Sequence, residues 1–460
     1  MTPPQRKEAR PIAALIAPDI LALLEESPES VAAETEEMHA ADLADVAEAL
    51  PTEQVKTLLR VLPSDRAADV LEYLDEELRA ELLEAMPASQ AAKLVSEMTP
   101  DDRVDVLEEL EEHHAEEILA EIPLEARRET EELLAYEPDT AGGLMTTEFV
   151  QVAETLTVDE ALANVRRIAR AGRREAMHTI YVTDERGAVR GVMSLRELLA
   201  APEGSRVADI AWEEVVSVPA TADRADVARV TSDYDLVAVP VVDSAGRLIG
   251  VVTVDDVIDA IVEEQTEDVQ KLGAVQPLES PYFQAGFWSL ARKRGGWLVI
   301  LFIGEMFTAT ALRHYEEALA GAIALTFFIP LIISSGGNSG SQSATLITRA
   351  LAVGDVEMRD ALRVLMRELG QGLVLGAFLG AIGFGRAIMW GNSSDIAWVV
   401  ALTLLCVVIT GTIVGAMLPL VFTRLGFDPA IASSPFVSSL VDVAGIVIYL
   451  TIAIQTLELP

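Results

Sequence analysis

The stretch IPLIISSGGNSGSQ, residues 329–342, lies within the uncharged run Ala318–Thr348. Because about 20 mostly apolar residues cross a bilayer, this run predicts a membrane span. Pro330 and the glycines are expected to break the helix, since they remove or weaken helical hydrogen bonds. Irregular backbone at membrane depth is tolerated only against protein or a water-filled cavity. We therefore expect this stretch to line a pore, the alternative being a small-residue surface for helix packing.

Charge is distributed unevenly along the chain. Of 73 acidic and 34 basic residues, 62 acids and 24 bases precede residue 281, and the remaining residues are nearly neutral in sum and mostly apolar. Such a polyanion repels phosphate backbones, which argues against nucleic-acid binding. The single Cys406 excludes an intramolecular disulfide framework and a cysteine-based zinc cluster. We expect an acidic soluble part followed by a membrane part.

Five segments reach or approach the length of a membrane span. Lys and Arg residues of the short loops fall eight to two on one side, which places the N-terminus in the cytoplasm and the C-terminus outside. The chain opens without a signal-peptide pattern, in agreement with that orientation. We expect a multi-pass protein of a bacterial-type inner or plasma membrane, in contact with lipid. The segments are Gly295–Leu312, Ala318–Thr348, Leu369–Gly385, Ile396–Thr423 and Pro429–Leu457.

Asp442 is the lone acid of the fifth segment. An ionised Asp near the bilayer centre costs about 2.5–3.5 kcal/mol on insertion scales, so it indicates a functional site. Ser434, Ser438 and Ser439 surround it with hydroxyls, which suits a hydrated path; a structural Asp bonded to a neighbouring helix is the alternative. Glu305 lies in the first segment without polar neighbours in sequence, and we interpret it as a packing or interface residue.

The chemistry around Asp442 favours a hard cation. Carboxylates, amides, hydroxyls and carbonyls are oxygen ligands that such cations prefer. Mg²⁺ keeps much of its water shell and is usually held by one or two carboxylates. One Asp442 per chain, paired across a two-fold axis, would place two carboxylates around a hydrated ion. Ca²⁺ and Mn²⁺ fit the same ligands.

Residues 140–262 contain an internal repeat, which resembles a pair of CBS modules, a regulatory fold. Each copy predicts helix, strand, glycine turn, strand and helix, with Ser194 or Thr253 at a helix N-cap. In such modules an Asp three residues after the Ser or Thr often contacts a nucleotide ribose. That position is Glu197 in the first copy and Asp256 in the second, so ATP bound through Asp256 is one expectation; a pair without nucleotide fits equally well. The matched pairs, all 59 residues apart, are Asp184/Asp243, Gly187/Gly246, Gly191/Gly250 and Ser194/Thr253.

Residues 11–135 predict a stack of amphipathic helices, each opened by a proline. The proline spacing indicates helix pairs arranged in a short superhelix. The prolines are Pro51, Pro63, Pro87, Pro100 and Pro123.

Acidic residues recur on three elements of the soluble part. Most acidic runs are solvated faces. Like charges on adjoining elements oppose compaction, however, unless cations bridge them. The runs are Asp101, Asp102 and Asp105; Asp223, Asp226, Asp233 and Asp235; and Asp255, Asp256, Asp259, Glu263, Glu264, Glu267 and Asp268.

Taken together, the segments resemble the MgtE family of magnesium transporters over essentially the whole chain. The most specific matches are residues 330–344, with GGNSGSQ, and residues 428–442, from Asp-Pro-Ala to Asp442. The resemblance implies a multidomain membrane protein that forms a homodimer with its pore at the subunit interface. The expected parts are an all-α superhelical N domain (1–137), an α/β pair of CBS domains (138–200 and 201–262), an acidic connecting helix (263–290) and a five-helix transmembrane pore domain (291–460).

The resemblance also implies roles for individual residues. Asp442 matches the pore aspartate that holds hydrated Mg²⁺, Asn338 lies in the pore-lining signature, and Asp428 matches an acid at the cytoplasmic mouth. Asp223 and Asp226 join the expected ligands although their spacing departs from the family pattern, and Glu305 replaces a usually apolar residue. The remaining acids expected to bind regulatory Mg²⁺ are Asp101, Asp105, Asp235, Asp256, Asp259, Glu263, Glu264, Glu267 and Asp268.

The predicted function is a Mg²⁺-selective, Mg²⁺-gated channel or transporter for magnesium uptake and homeostasis. Cytosolic Mg²⁺ bridges the acidic faces and closes the pore, and at low Mg²⁺ the uncompensated charge drives the domains apart. The sequence carries no nucleophile–base arrangement or phosphate-cradling loop, so we expect no enzyme. Two alternatives stay open: a secondary transporter that couples Mg²⁺ to Na⁺ or H⁺ through Asp442, and a membrane-tethered nucleotide sensor.

Overall fold

The computed structural model of the chain describes residues 11–170, 178–278, 282 and 285–458. Its contacts divide the chain into two compact units, with the boundary between Val262 and Glu263. The expected connecting segment 263–290 includes residues 279–281, 283 and 284, which lie outside the described residues. The first unit combines short helices with two small sheets, and the second consists mainly of long apolar helices.

The first unit begins with short helices in two layers. Odd-numbered helices pack on the next odd-numbered helix from α1 to α9, and even-numbered ones do the same from α4 to α10. The predicted prolines lie at N-caps or, for Pro100, at the first helical residue. At these positions a backbone N–H would have no acceptor within the helix, so proline, which lacks it, loses no hydrogen bond. The helices are α1 Pro11–Glu26, α2 Val31–Glu34, α3 Ala40–Glu48, α4 Thr52–Val61, α5 Ser64–Glu72, α6 Glu76–Glu84, α7 Ala88–Val95, α8 Pro100–Glu109, α9 Glu112–Glu121 and α10 Leu124–Leu133.

The internal repeat forms two sheets of the same topology. In each sheet the first two strands are parallel and the last two antiparallel, and the register shifts at equivalent positions, Val182/Thr183 and Val241/Val242. The predicted repeat is therefore confirmed. Its elements are β1 Val150–Ala153, α11 Val158–Arg170, β2 Thr179–Thr183, β3 Val189–Ser194, α12 Leu195–Ala200, α13 Val207–Ile210, β4 Val218–Pro219, α14 Arg224–Tyr234, β5 Ala238–Val242, β6 Leu248–Thr253 and α15 Val254–Leu272.

Among the described residues of the second unit, five helical segments are long and apolar enough to cross a membrane, as predicted. α20 is the most buried of them and packs against α18, α19 and α21. α15 reaches into this unit and ends at Leu272, so the connecting helix is shorter than the expected segment and begins earlier. The helices are α16 Phe287–His314, α17 Glu316–Gly321, α18 Ile329–Ala352, α19 Ala361–Met389, α20 Ser394–Arg424 and α21 Ser434–Leu457.

The second span differs from the broken helix that the sequence predicts. α18 runs without interruption, and Pro330 lies in its first turn, where proline is tolerated. The α18 glycines Gly336 and Gly340 pack against glycines of α20. A Cβ on Gly415 of α20 would lie 2.0 Å from Gly340 O, and one on Gly411 would lie 2.5 Å from Gly336 O. Glycine therefore lets α18 and α20 approach backbone to backbone, which is the packing role given above as the alternative.

Candidate functional site

Polar side chains of α18 and α21 meet within the membrane unit. Ser341 Oγ lies 3.2 Å from Ser438 Oγ and donates a hydrogen bond of 3.2 Å to Ser434 O. Asn338 Nδ2 donates to Ser334 Oγ at 3.3 Å. Asp442 lies one helical turn beyond Ser438 on α21. We call this group the polar seam; it comprises Ser334, Asn338, Ser341, Ser438 and Asp442.

Asp442 is half-buried and lies close to the backbone of α18. A Cβ on Gly337 would lie 3.4 Å from Asp442 Oδ1 and 3.1 Å from Ser438 Oγ. The missing side chain at Gly337 therefore gives the carboxylate room beside the helix. The carboxylate also interacts electrostatically with the Glu305 carboxylate on α16. The role of Glu305 as a packing or interface residue stays a prediction, and Asp442 gives it a polar neighbour that its local sequence lacks.

Glu368 on α19 is a further membrane-unit carboxylate, which no local sequence pattern singles out. It is 5% exposed, and its Oε2 accepts a hydrogen bond of 2.7 Å from Ser343 Oγ on α18. Its carbonyl accepts one of 3.2 Å from Thr412 Oγ1 on α20. Glu368 directly precedes the predicted segment Leu369–Gly385, so a segment bounded by charge leaves it out. Glu368 therefore links α18, α19 and α20 by hydrogen bonds.

An ionic cluster joins the end of α15 to the turn before α21. Asp428 Oδ1 accepts from Ala430 N at 2.8 Å, and Asp428 Oδ2 lies 2.9 Å from Lys271 Nζ. Lys271 Nζ also lies 3.0 Å from Glu267 Oε2. Burial, and then the negative charges of Glu264 and Asp428, raise the pKa of the Asp268 carboxyl. Three expected ligands, Asp428, Glu267 and Asp268, thus lie around a lysine that the prediction leaves out, and Glu264 acts on Asp268.

The first unit brings four carboxylates together, which we call the acidic cluster: Glu72 on α5, Asp101 and Asp102 on α8, and Asp256 on α15. Asp101 is 7% exposed, and within the described residues its buried Oδ1 has no hydrogen-bond partner. Burial, and then repulsion by Asp101 or Asp102, raises the pKa of Glu72 to about 8, of Asp102 to about 6 and of Asp256 to about 8. Arg79 partly compensates the charges of Glu72 and Asp102, but burial and mutual repulsion outweigh it, which suits an added cation.

The arrangement of these side chains limits how the acidic cluster can bind a metal ion. Asp105, one turn along α8 from Asp101, is exposed. In the part of the chain that the structure describes, no three acid, histidine or cysteine side chains lie close enough together to hold a metal ion. A divalent cation would therefore bind through retained water, as Mg²⁺ commonly does, or after the acids move closer.

The other expected ligands of the second CBS module lie outside the acidic cluster. Asp223 caps α14 by accepting from Ala225 N at 2.9 Å. Asp226 Oδ1 lies 2.5 Å from Arg229 Nη2. Asp235 ends α14 with a left-handed backbone, φ 52°, and Asp259 is exposed on α15. Their roles as metal ligands stay predictions, as does that of Glu263.

A cavity of about 340 Å³ opens in the CBS pair. Trp212 and Tyr234, 66% and 58% exposed, are among its lining residues. Glu197 accepts hydrogen bonds from Ser194 N at 2.8 Å and from Trp212 Nε1 at 2.8 Å, so the capping box also orients the indole. Glu197 lines the cavity, whereas Asp256, the expected ribose contact, belongs to the acidic cluster. Other lining residues are Thr179, Tyr181, Ser194 and Asp235.

Family models match three parts of the chain. Residues 329–452 match the model of MgtE, a divalent cation transporter. Residues 38–139 match the MgtE intracellular N domain, and residues 141–204 and 207–263 each match a CBS domain. The matched models describe a transporter and its intracellular domains rather than an enzyme.

Characterised relatives cover most of the chain. It is 46% identical over 332 residues to the magnesium transporter MgtE of Thermus thermophilus. The aligned region is 72% of this chain and 73% of that protein. The MgtE of Enterococcus faecalis is 36% identical over 72% of each chain. The soluble part of a magnesium transporter superposes with a TM-score of 0.52 at 32% identity, covering 55% of this chain and 99% of that one. The cytosolic domain of the Mg²⁺ channel MgtE in complex with ATP superposes with a TM-score of 0.50 at 38% identity. The match covers 54% of this chain and 99% of that one.

The acidic cluster predicts how stability depends on pH without divalent cations. Raised carboxyl pKa values mean that the folded chain binds more protons than the unfolded chain, so the free energy of unfolding falls as pH rises from about 4 to 8. Each extra bound proton contributes about 1.4 kcal/mol per pH unit. Asp256→Asn should flatten this slope and raise Tm at pH 8, measured by thermal unfolding of the full chain in EDTA.

Glu25→Gln serves as the matched control, because it removes an exposed acid on α1, outside the cluster. It should leave the slope unchanged. An Asp256→Asn slope equal to that of the wild type would show that the cluster does not bind the extra protons.

Proposed function

Because the chain belongs to the MgtE family of magnesium transporters, we propose that it is a Mg²⁺-selective channel that cytosolic Mg²⁺ closes. The protein works as a homodimer in the cell membrane, with its N-terminus in the cytoplasm and its C-terminus outside. The observation that carries the proposal is the position of Asp442 in the polar seam. The acidic cluster supports the regulatory part.

The polar seam suits a partly hydrated cation. Asp442 supplies a carboxylate, and Ser438, Ser341 and Asn338 supply oxygen atoms on facing helices. Mg²⁺ loses its water reluctantly, so these oxygens would contact its water shell rather than replace it. A carboxylate in a membrane span faces the bundle interior or a water-filled path. The seam therefore lines the ion path.

A dimer completes the site under this proposal. Ser334 and Asn338 are exposed on α18, while Gly336 and Gly340 face inward. A second chain related by a two-fold axis would bring its Asp442 to the same path. Two carboxylates then balance the charge of one Mg²⁺.

Mg²⁺ closes the pore through the acidic cluster. Buried like charges repel one another, and a divalent cation that contacts several of them favours the arrangement in which they are closest. Such an ion shifts the conformational equilibrium only by its difference in affinity between the two states. The unpartnered Oδ1 of Asp101 is an acceptor available to such an ion.

α15 transmits this change towards the membrane helices. Asp256 lies in its first turn, and Lys271 lies in its last turn, where it pairs with Asp428. A continuous helix of 19 residues moves as a stiff rod. Cation binding beside Asp256 therefore biases the ionic cluster at Asp428.

ATP is a second ligand that we propose for the cytosolic part. The cavity of about 340 Å³ presents Trp212 and Tyr234, whose rings can stack on a base. A relative's cytosolic domain has been solved in complex with ATP. Binding at this cavity would stabilise the CBS pair and thereby tune the response to Mg²⁺.

Asp442→Asn should lower Mg²⁺ influx into proteoliposomes by more than about tenfold, since the amide keeps the shape but removes the charge. A fluorescent Mg²⁺ indicator inside the vesicles measures the influx at clamped voltage. Asp395→Asn, an exposed acid at the start of α20, is the control and should transport normally. Wild-type influx in Asp442→Asn would refute the pore role; dependence on an imposed Na⁺ or proton gradient would establish coupled transport instead.

The double variant Asp101→Ala/Asp105→Ala should raise the Mg²⁺ concentration that half-closes the channel by about tenfold, the equivalent of about 1.4 kcal/mol. Patch recordings with Mg²⁺ varied on the cytosolic face measure it. Glu25→Ala/Glu26→Ala removes the same charge from the end of α1 and should leave closure unchanged. If Mg²⁺ closed the Asp101/Asp105 variant at the same concentration as the wild type, these acids would not be the sensors.

Trp212→Ala should weaken ATP binding by about tenfold or more. The substitution removes the ring that would stack on the base and the hydrogen bond that the indole donates to Glu197. Isothermal titration of the purified full chain measures the affinity. Asp256→Asn should bind ATP as the wild type does, because Asp256 is not among the residues that line the cavity. The reverse pattern would place the nucleotide at Asp256, as the repeat predicts.

A further inference from the structure

The glycines of α19 face the rest of the chain. A Cβ on Gly376 would lie 2.9 Å from Leu405 O of α20, and one on Gly380 would lie 2.7 Å from Ala401 O. Gly372 contacts α20 in the same way. Because residues four apart share one side of a helix, these glycines mark the side that packs on α20. The opposite side of α19 points away from the chain.

Two arginines occupy the start of this outward side. At 3.6 residues per turn, Arg363 lies about 140° and Arg367 about 180° around the helix from Gly376. Both are exposed and one turn apart, so their guanidinium groups can contact one ligand. Val374 and Phe378 continue the outward side along the span and are 68% and 65% exposed. The outward side therefore combines a positively charged end with an apolar stripe.

The acids near the two arginines leave this charge available. Arg363 Nη1 lies 3.2 Å from Asp360 Oδ1, but the arginine side chain is 85% exposed, and such surface pairs are weak. Glu357 is paired with another arginine outside the helix. Glu368 turns inward and is bonded to α18. Among the residues that the structure describes, Arg367 has no ion pair.

The arginines lie at the level of the lipid headgroups. The uncharged run of this span begins at Leu369, about 3 Å beyond Arg367 and about 9 Å beyond Arg363 along the helix. The headgroup layer is about 5–8 Å thick on each side of the hydrocarbon core. Arginine side chains at such positions rest their stems on apolar surface and extend the charged end towards the phosphates. Val374 and Phe378 lie deeper, at the level of the acyl chains.

We propose that Arg363 and Arg367 bind the phosphate of an anionic phospholipid whose acyl chain lies along Val374 and Phe378. Guanidinium groups bind phosphate oxygens through paired hydrogen bonds. A lipid with net negative charge is preferred over a zwitterionic one, because its headgroup carries no cation to repel the arginines. The apolar stripe favours a lipid over free phosphate. A second copy packed here would bring its own arginines against these two.

This site is separate from the ion path. The polar seam lies on α18 and α21, whereas the two arginines lie on the side of α19 that faces away from α20. The inference therefore holds whether or not Mg²⁺ passes along the polar seam. It concerns the lipid that the membrane unit binds.

The test measures which lipid lies beside the apolar stripe. Val374→Cys in a Cys406→Ala background gives the full chain a single cysteine for a bimane label. The labelled chain is placed in phosphatidylcholine vesicles that contain brominated phosphatidylglycerol or, at the same fraction, brominated phosphatidylcholine. Quenching should show phosphatidylglycerol enriched about fivefold beside the label. Raising NaCl from about 0.05 to about 0.5 M should reduce this enrichment, because salt screens the attraction.

Substitutions in the labelled chain separate charge at this site from charge elsewhere. Arg363→Gln/Arg367→Gln should lose the enrichment, and Arg363→Lys/Arg367→Lys should keep part of it. Arg313→Gln/Arg386→Gln removes the same charge from the opposite ends of α16 and α19 and should behave as the unsubstituted chain. Inorganic phosphate at constant ionic strength should not displace the lipid.

Several results would overturn the inference. Equal quenching by the two brominated lipids would show that the site has no preference for charge, and weak quenching by both would show that protein covers this side of α19. Enrichment that survives in the Gln variant, or that is lost equally in the Arg313/Arg386 control, would assign it to other bases. Displacement by phosphate would assign the arginines to a soluble anion. If the Gln variant changes its gel-filtration profile, enrichment that is insensitive to salt decides against the site.

Discussion

Repulsion between carboxylates in poorly solvated places is the constraint on which the molecule depends. The acidic cluster gathers Glu72, Asp101, Asp102 and Asp256, and the membrane unit places Glu305 against Asp442. Bringing like charges together opposes folding unless protons or cations accompany them. In a chain with a formal net charge of −39 at pH 7, bound protons or cations therefore favour the compact form. Under the proposed function, transport and regulation use the same electrostatic imbalance at two locations.

Close helix packing gives the membrane carboxylates their positions. Gly336 and Gly340 of α18 contact Gly411 and Gly415 of α20 backbone to backbone. That contact fixes one face of α18, and the opposite face then presents Ser334 and Asn338. The glycines of this stretch thus pack inward, and its polar side chains turn outward; that these side chains line a pore stays a prediction.

The sequence predicted whatever depends on local pattern. The five spans, the proline-opened helices and the repeat at a spacing of 59 residues follow from periodicity and turn chemistry, and the structure agrees. Contacts between distant segments could not be predicted in this way. Glu305 interacts with Asp442 across 137 positions of sequence and Ser343 with Glu368 across 25, and nothing in the local sequence links the partners of either pair. Pro330 failed as a helix breaker because its effect depends on whether it lies in the first turn.

The two CBS modules use one equivalent position in two ways. In the first module Glu197 is held by Ser194 and Trp212, so that its charge is committed to the wall of a cavity. In the second, Asp256 is bonded to Thr253 but points its charge towards α8. The two copies therefore differ at one equivalent position by a single methylene, and the longer side chain lies in a cavity wall while the shorter one lies in an electrostatic contact. The symmetry of the repeat does not extend to the surroundings of this position, so a substitution there should have different consequences in the two modules.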